Sequence, residues 1–271
     1  MASPDIILQH LKELARGEIK RQRDIQSLYK NFRLALYDAL GVESDEIVKI
    51  SSLGRYRREI DLAIDDFAKK LRAGLDQGLL SGAKIAVSHA SDEIKALQKG
   101  IGAKYVPLNI RASVVISRAE KLLLSQYESS VGRYSEHLRG RIGQILSQAA
   151  LKNSTLDQVT KQLAGQRGLI SAESYQVERI ARTEYLRAYN IGRNQSTREA
   201  KRVLPDLKRR WDATLDSRTC DICGAADGQI AELDKPFKVH GVDLMTPQDS
   251  HPNCRCAETP YREAWKEYFD N

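Results

Sequence analysis

Cysteine is absent from the first 219 residues of this 271-residue chain, and aromatic side chains make up only 6% of it. The first absence excludes a disulfide scaffold for most of the molecule. The second leaves a core to be built from Leu, Ile, Val and Ala, within an apolar total of 41%. No stretch approaches the roughly 18 consecutive apolar residues that span a bilayer. The opening residues, MASPDIILQHLKEL, lack the basic, apolar and small-residue sections of a secretion signal. No membrane contact and synthesis in a cytoplasm are therefore expected. Internal repeats and low-complexity tails are missing too. Charge is what the chain has in quantity: 29% of residues, with a mean hydropathy of −0.48, a mixture that suits long solvated amphipathic helices.

The predicted fold class is mainly α, with long N-terminal helices followed by a small α+β zinc-stabilised C-terminal domain. Ser3-Pro4-Asp5 is a helix start, with a capping hydroxyl, a proline whose missing N–H costs nothing and an acid that suits the dipole. Ile6, Ile7, Leu11 and Leu14 then share a face; Gly17 is a candidate stop, although the pattern can run on through Ile25 and Leu28. Ser44-Asp45-Glu46 predicts another start, and the stripe Ile60, Leu62, Ile64, Phe67 and Leu71 lasts until the glycines of 74–82. A third helix is expected over 83–100, then a break from Gly100 to Pro107. A long helix over 109–150 carries an apolar stripe from Val114 through Leu122, Leu123, Tyr127 and Val131 to Leu146. Ser154 with Asp157 forms a predicted capping box for a helix ending at Gly165; Ser171 caps the next, which runs to about Val203. Leu207, Arg209, Trp211 and Ala213 then alternate with polar neighbours, a strand pattern. The corresponding division is 1–102 helical, 103–168 a long linking helix with a short capped one, and 169–271 the zinc-binding domain.

All four cysteines fall within 37 residues, as Cys220-x-x-Cys223 and Cys254-x-Cys256, with His251 three residues before Cys254. A CxxC knuckle lets two thiolates reach one ion at about 2.3 Å, and a second pair from a distant loop completes a tetrahedron. Residues 254 and 256 of an extended strand point the same way, and His251 can replace either. Five donors thus compete for four places. Disulfides are disfavoured without a secretion signal, and redox chemistry by Cys220-Asp221-Ile222-Cys223 lacks its usual βαβ setting. A set of donors that saturates the ion predicts structural zinc, worth on the order of 10 kcal/mol of folding in small zinc modules.

The formal charge of +7 is concentrated. Between Val177 and Arg210 ten Lys/Arg face four acids, and Arg193, Arg198, Lys201, Arg202, Lys208, Arg209 and Arg210 are candidate contacts to nucleic acid or to an acidic protein surface. The alternative is a solvated helix face.

The order Ile180-Ala181-Arg182-Thr183-Glu184, Ala188-Tyr189-Asn190, Gly192-Arg193, then Trp211, the run Asp216 to Cys223, Asp227-Gly228 and finally His251-Pro252-Asn253-Cys254-Arg255-Cys256 resembles the Mu F-like domain of phage minor head proteins, over about 150–260. The resemblance implies a structural protein of a tailed phage or prophage. Such a protein sits inside the virion head near the portal vertex, oligomeric through the portal, with the portal and other head proteins as partners and packaged DNA as a further contact. It assists head assembly or DNA packaging and ejection and has no enzymatic activity of its own. Beside it, Glu184 is expected to brace its helix against the zinc loop through Arg218 or Arg255, with pairing to Arg187 as the alternative. Asp216 and Arg218 shape the knuckle turn, Trp211 anchors the sheet, and Asp227-Gly228 turns a hairpin. His10, His89, His137 and His240 are expected at the surface or in packing. Two other functions compete: a zinc-stabilised DNA-binding module, and a metal-dependent nuclease, which would need His240 as its base.

Overall fold

The computed structural model describes residues 4–40, 46–100, 107, 110–165 and 167–269. Five helices come first: α1 (Pro4–Leu40), α2 (Leu53–Gly100), α3 (Ala112–Leu151), α4 (Leu156–Ala164) and α5 (Leu169–Ala200). The remaining stretch holds β1 (Lys208–Asp212), α6 (Asp221–Ala226), β2 (Ile230–Ala231), β3 (Phe237–Val239), β4 (Val242–Leu244), β5 (Ala257–Tyr261) and α7 (Lys266–Phe269). Long helices followed by a small sheet region are thus the observed fold class. No helix among the described residues is long and apolar enough to cross a membrane.

Several expected boundaries move, each for a local reason. α1 does not stop at Gly17, and α2 runs straight through the glycines of 74–82. Gly17 and Gly82 are instead points of close approach: a Cβ on Gly17 would overlap the Tyr185 hydroxyl, and one on Gly82 would lie 3.1 Å from the Tyr185 carbonyl oxygen. Glu46 is not helical; Leu156 N–H donates to its carbonyl and Val48 N–H to that of Ser154, both at 2.9 Å, making a short bridge. With Ser154 held there, the capping box shifts to Thr155 and Gln158, whose side chains and backbone amides exchange hydrogen bonds of 3.1 and 3.3 Å. Gly165 does end α4, whereas Ser171 lies inside α5 and its hydroxyl donates back to the Gly165 carbonyl. α5 ends at Ala200 rather than Val203. Leu62 is exposed, because the three- and four-residue steps from Ile60 to Ile64, Phe67 and Leu71 carry the stripe past it. Ser3, Ser44, Asp45, Asn109 and most of the break at 100–107 lie outside the described residues, as do the side chains of Ile7, Leu11, Leu122, Leu123 and Tyr127.

The chain forms two compact units, each assembled from separated segments, rather than three consecutive domains. The reason is helix length: α1, α2, α3 and α5 each supply residues to both. One unit comprises Arg21–Asp76 and Ser125–Arg179, and its core includes Phe32 stacked on Phe67 with ring centroids 4.6 Å apart. The other comprises Met1–Lys20, Gln77–Leu124 and Ile180–Asn271. In it β1 is the middle strand of an antiparallel sheet ordered β2–β1–β5, and β3–β4 is a separate hairpin. Its core has a helical part around Tyr185 and Tyr189, and a part in which Trp211, Phe237 and Val239 pack with Cys223, Cys254 and Cys256.

Candidate metal centre

Cys220 caps α6. Its sulfur accepts the Cys223 N–H at 3.4 Å and its carbonyl accepts the Gly224 N–H at 2.9 Å, which turns both knuckle sulfurs the same way. Asp216 prepares that turn: its carboxylate accepts the Arg218 N–H at 2.8 Å, and its own N–H donates to the Thr219 hydroxyl at 2.8 Å. Arg255, between the last two cysteines, grips the same carboxylate with two hydrogen bonds of 2.6 Å. Those bonds, and after them the Arg218 amide, hold the Asp216 carboxyl well below the usual carboxylate range. The second donor loop turns at Asn253, whose φ of 66° places it in the left-handed region.

The two loops meet at Cys223. Cys220, Cys223 and His251 form one group of donors and Cys223, Cys254 and Cys256 another, each with its ligand atoms within 4.8 Å of one another. His251 Nδ1 donates to the Pro252 carbonyl at 2.9 Å, which leaves the Nε2 lone pair free, 3.2 Å from both the Cys220 and Cys223 sulfurs. The Cys223 and Cys254 sulfurs are 3.7 Å apart and all four cysteines are free. That spacing excludes a bond of about 2.05 Å. It fits the edge of a tetrahedron with metal–sulfur distances of about 2.3 Å, roughly 3.8 Å. Hydrogen bonds from Cys223 and Cys256 lower the Cys254 thiol, while bonds to Cys254 and Cys256 push the Cys223 thiol far above its usual range. Protons are shared among crowded sulfurs, and a cation that replaces them relieves that crowding. The five donors could hold a metal ion.

α5 holds these loops. Thr183 accepts the Asn253 N–H at 3.1 Å, Arg182 reaches the Asn253 side chain, and Arg187 pairs with Asp249. Asn190 bonds to Gln248 and to the strand after the last cysteine. Arg193, buried, donates to the Glu258 carbonyl and pairs with Glu93 of α2. Burial works against the Glu93 charge, yet Arg193 and His10 outweigh it and keep the carboxyl below its ordinary range. The expected brace through Glu184 is not made this way. Glu184 lies 3.4 Å from Arg187, its carboxyl raised by burial, while Arg218 is exposed and Arg255 is committed to Asp216.

The basic run is largely paired within the protein, although Arg202 and Lys208 stay exposed. Arg193 and Arg209 are each 2% exposed. Arg209 pairs with the equally buried Glu258 at 3.0 Å, donates to the Met245, Lys235 and Glu232 carbonyls and lies over the Phe237 ring. Arg198 donates to the Leu233 carbonyl, Lys201 and Lys208 share Glu232, Arg202 pairs with Glu199 and Arg210 with Asp212. A continuous cationic face is therefore not what these seven residues build.

Four residues have roles that no motif announced. Gln248 is buried beside the donors. His10 and His89 stack at 3.7 Å in the core, joined to Glu93, Glu13 and Tyr189, so of the surface or packing places expected for them they take packing. His240 sits with Gly241 in the β3–β4 hairpin, both at positive φ (51° and 80°). It is exposed and serves a turn. Asp227-Gly228 does not make that hairpin; it joins α6 to β2, with Gly228 N–H on the Trp211 carbonyl at 2.9 Å.

Comparison with known proteins agrees with the sequence landmarks. A segment of 86 residues is 31% identical to NAD(+)–arginine ADP-ribosyltransferase EFV of Enterococcus faecalis, covering 30% of this chain and 18% of that protein's length. No solved structure matches. Residues 140–259 match the family described as phage Mu protein F like protein, so the stretch that holds α5, the knuckle and the second donor loop is similar to that family, in agreement with the sequence landmarks.

Proposed function

We propose that this chain is a structural minor head protein of a tailed phage or prophage, placed inside the head near the portal and assisting head assembly or the packaging and ejection of DNA. One observation carries this: the family match spans both donor loops and the helix α5, whose Thr183, Asn190 and Arg193 hold the second loop and the strand that follows it. The ion is structural zinc, held by Cys220, Cys223 and His251 with Cys254 or Cys256 as the fourth ligand; it supplies rigidity to a segment short of apolar core, and a saturated shell leaves no position for substrate. The activity named for the enterococcal protein is not carried over, because so little of that protein is covered. DNA binding as the main role is disfavoured by the internal pairing of the basic run.

Co-expression with the portal protein of the same phage tests the proposal. Joint purification that survives about 1 M salt is expected for a protein contact, since phosphate-driven binding falls steeply with salt. No association with the portal, together with salt-sensitive retention on DNA, would overturn it in favour of the DNA-binding module.

A further inference from the structure

The carboxamides of Asn190 and Gln248 are both buried close to the donors, and both are hydrogen-bonded through oxygen and nitrogen. Asn190, on α5, donates to the Gln248 carboxamide oxygen at 2.7 Å and to the Cys256 carbonyl at 3.1 Å. Its own oxygen accepts the Glu258 N–H at 2.9 Å. Gln248, in the 3-10 turn Pro247–Asp249 ahead of His251, donates to the Cys256 carbonyl at 3.1 Å and to the Cys254 carbonyl at 3.5 Å. Each amide therefore uses its oxygen and its nitrogen, and together they hold the main chain at both cysteines of the second donor pair.

Two physical points give this arrangement a role beyond filling the core. A buried amide left with an open donor or acceptor costs about 1–3 kcal/mol, so the pair is stable only when Cys254, Cys256 and Glu258 present their backbone groups in this register. Carbonyls fixed in direction also fix the Cα–Cβ bonds beside them, and hence where the sulfurs point. Outer-shell partners that orient ligands typically contribute about 10- to 100-fold to metal affinity. Neither amide is placed to touch an ion itself, so both act by positioning.

We propose that Asn190 and Gln248 form a positioning clamp that preorganises the Cys254-Arg255-Cys256 backbone for metal binding and ties the ion's site to α5. The inference rests on the proposed structural metal. It adds that affinity is set in part by a helix residue 30 positions before the first ligand, Cys220.

Cobalt binding to the full-length chain tests it, read by the sulfur-to-cobalt charge-transfer band and by competition with a chromophoric chelator. Gln248→Met keeps the volume and removes the donors; Gln248→Glu keeps the shape and replaces the two-donor amide nitrogen with an acceptor oxygen. Asn190→Asp does the same on the helix side. Tyr261→Phe, which alters the same sheet without touching the clamp, is the control for general loosening. Expected is a loss of about 10-fold or more in cobalt affinity for the Gln248 variants, with a shifted visible spectrum, unchanged helical circular dichroism and a control that binds like the parent. Equal affinity and an identical spectrum in parent and Gln248 variants overturn the clamp while leaving the metal intact. A parent chain that binds no cobalt overturns the structural metal and the clamp with it. A control that weakens binding as much as the clamp variants do also overturns it, because the amides would then be ordinary packing.

Discussion

At the scale of single residues, buried charge is the dominant feature of the sheet-bearing unit. Arg209 and Glu258 are both 2% exposed and lie diagonally across β1 and β5, so each is tolerable only because of the other. Arg209→Met is expected to cost about 3–5 kcal/mol in urea unfolding, because it strands the Glu258 carboxylate and frees three loop carbonyls; a loss below about 1 kcal/mol would show the pair to be dispensable. Glu258 is raised by burial even with its partner present, which marks how little of its hydration is replaced. His89 gives a pH prediction. Burial lowers it from 6.5 to about 4, against the opposing effect of the hydrogen bond it donates to Glu13. The unfolded imidazole therefore takes a proton near its ordinary value while the folded one resists until about 4. Between those values the unfolded state binds more protons, and stability falls as pH falls, by up to about 2–3 kcal/mol. His10, Glu13, Glu93, Tyr189 and Arg193 surround it and are common to both proteins in the comparison with His89→Gln, whose stability should vary less over this window. Equal pH dependence in parent and variant would exclude His89 as the source. The place of Arg209 was legible in advance, since strand alternation put it on the face of Leu207 and Trp211. The charge alone drew it to the surface, and that is the weaker signal inside a short strand with an acid two places away on the facing strand. The His10–His89 stack was not legible, because two histidines on different helices acquire meaning only when the helices pack.

At the scale of elements, glycine separates helix stops from helix crossings. Gly192 lies inside α5, where a Cβ would come within 2.8 Å of the Ala86 Cβ and 3.2 Å of the Ala83 backbone on α2. Gly192→Leu should therefore destabilise by roughly 1–3 kcal/mol or more through overpacking, although leucine is the better helix former by about 0.8 kcal/mol. A variant as stable as the parent would mean that α2 and α5 can part at no cost. The sequence reads Gly17 and the glycines of 74–82 as breakers while running a helix through Gly192, and only the partner helix shows that Gly17, Gly82 and Gly192 are points of close approach. For this reason the long helices were recognisable by their three- and four-residue steps while their ends and continuity were not. The β3–β4 hairpin gives the converse case. His240 and Gly241 occupy the two left-handed positions that such a turn demands, and His240 carries no Asn or Asp signal. His240→Val should cost about 1–2 kcal/mol while His240→Asn is neutral or stabilising, measured as a shift in the unfolding midpoint. Loss of function from His240→Asn with unchanged stability would instead revive a chemical role for this residue.

At the scale of the whole molecule, the net charge of +7 is misleading in one respect: the most basic segment is where the sheet-bearing unit is held together. Its cations neutralise buried acids and cap loop carbonyls, so much of the local excess is spent inward. The donor loops then stand apart, since in the cluster around Trp211 three of the eight buried residues are cysteines. Without the proposed ion, these sulfurs would be left to share protons, in a segment whose other anchors include Arg209, Arg193, Thr183, the Arg187–Asp249 and Arg255–Asp216 pairs and the two amides. Chelation is expected to loosen the stretch from Ala213 to Cys256 first, on the scale of about 10 kcal/mol of lost metal binding, while α1 to α5 keep their helicity. Trypsin reads this directly. Arg218 and Lys238 are exposed and lie in that stretch, and cleavage there should accelerate at least about tenfold after chelation, with helical ellipticity nearly unchanged. Restored protection on returning zinc, in the absence of any thiol oxidation, would tie the effect to the ion rather than to damage of the sulfurs. Cleavage rates that do not respond to chelation would mean that α5, Arg209 and the sheet hold the module unaided, and the structural reason for a metal would be gone.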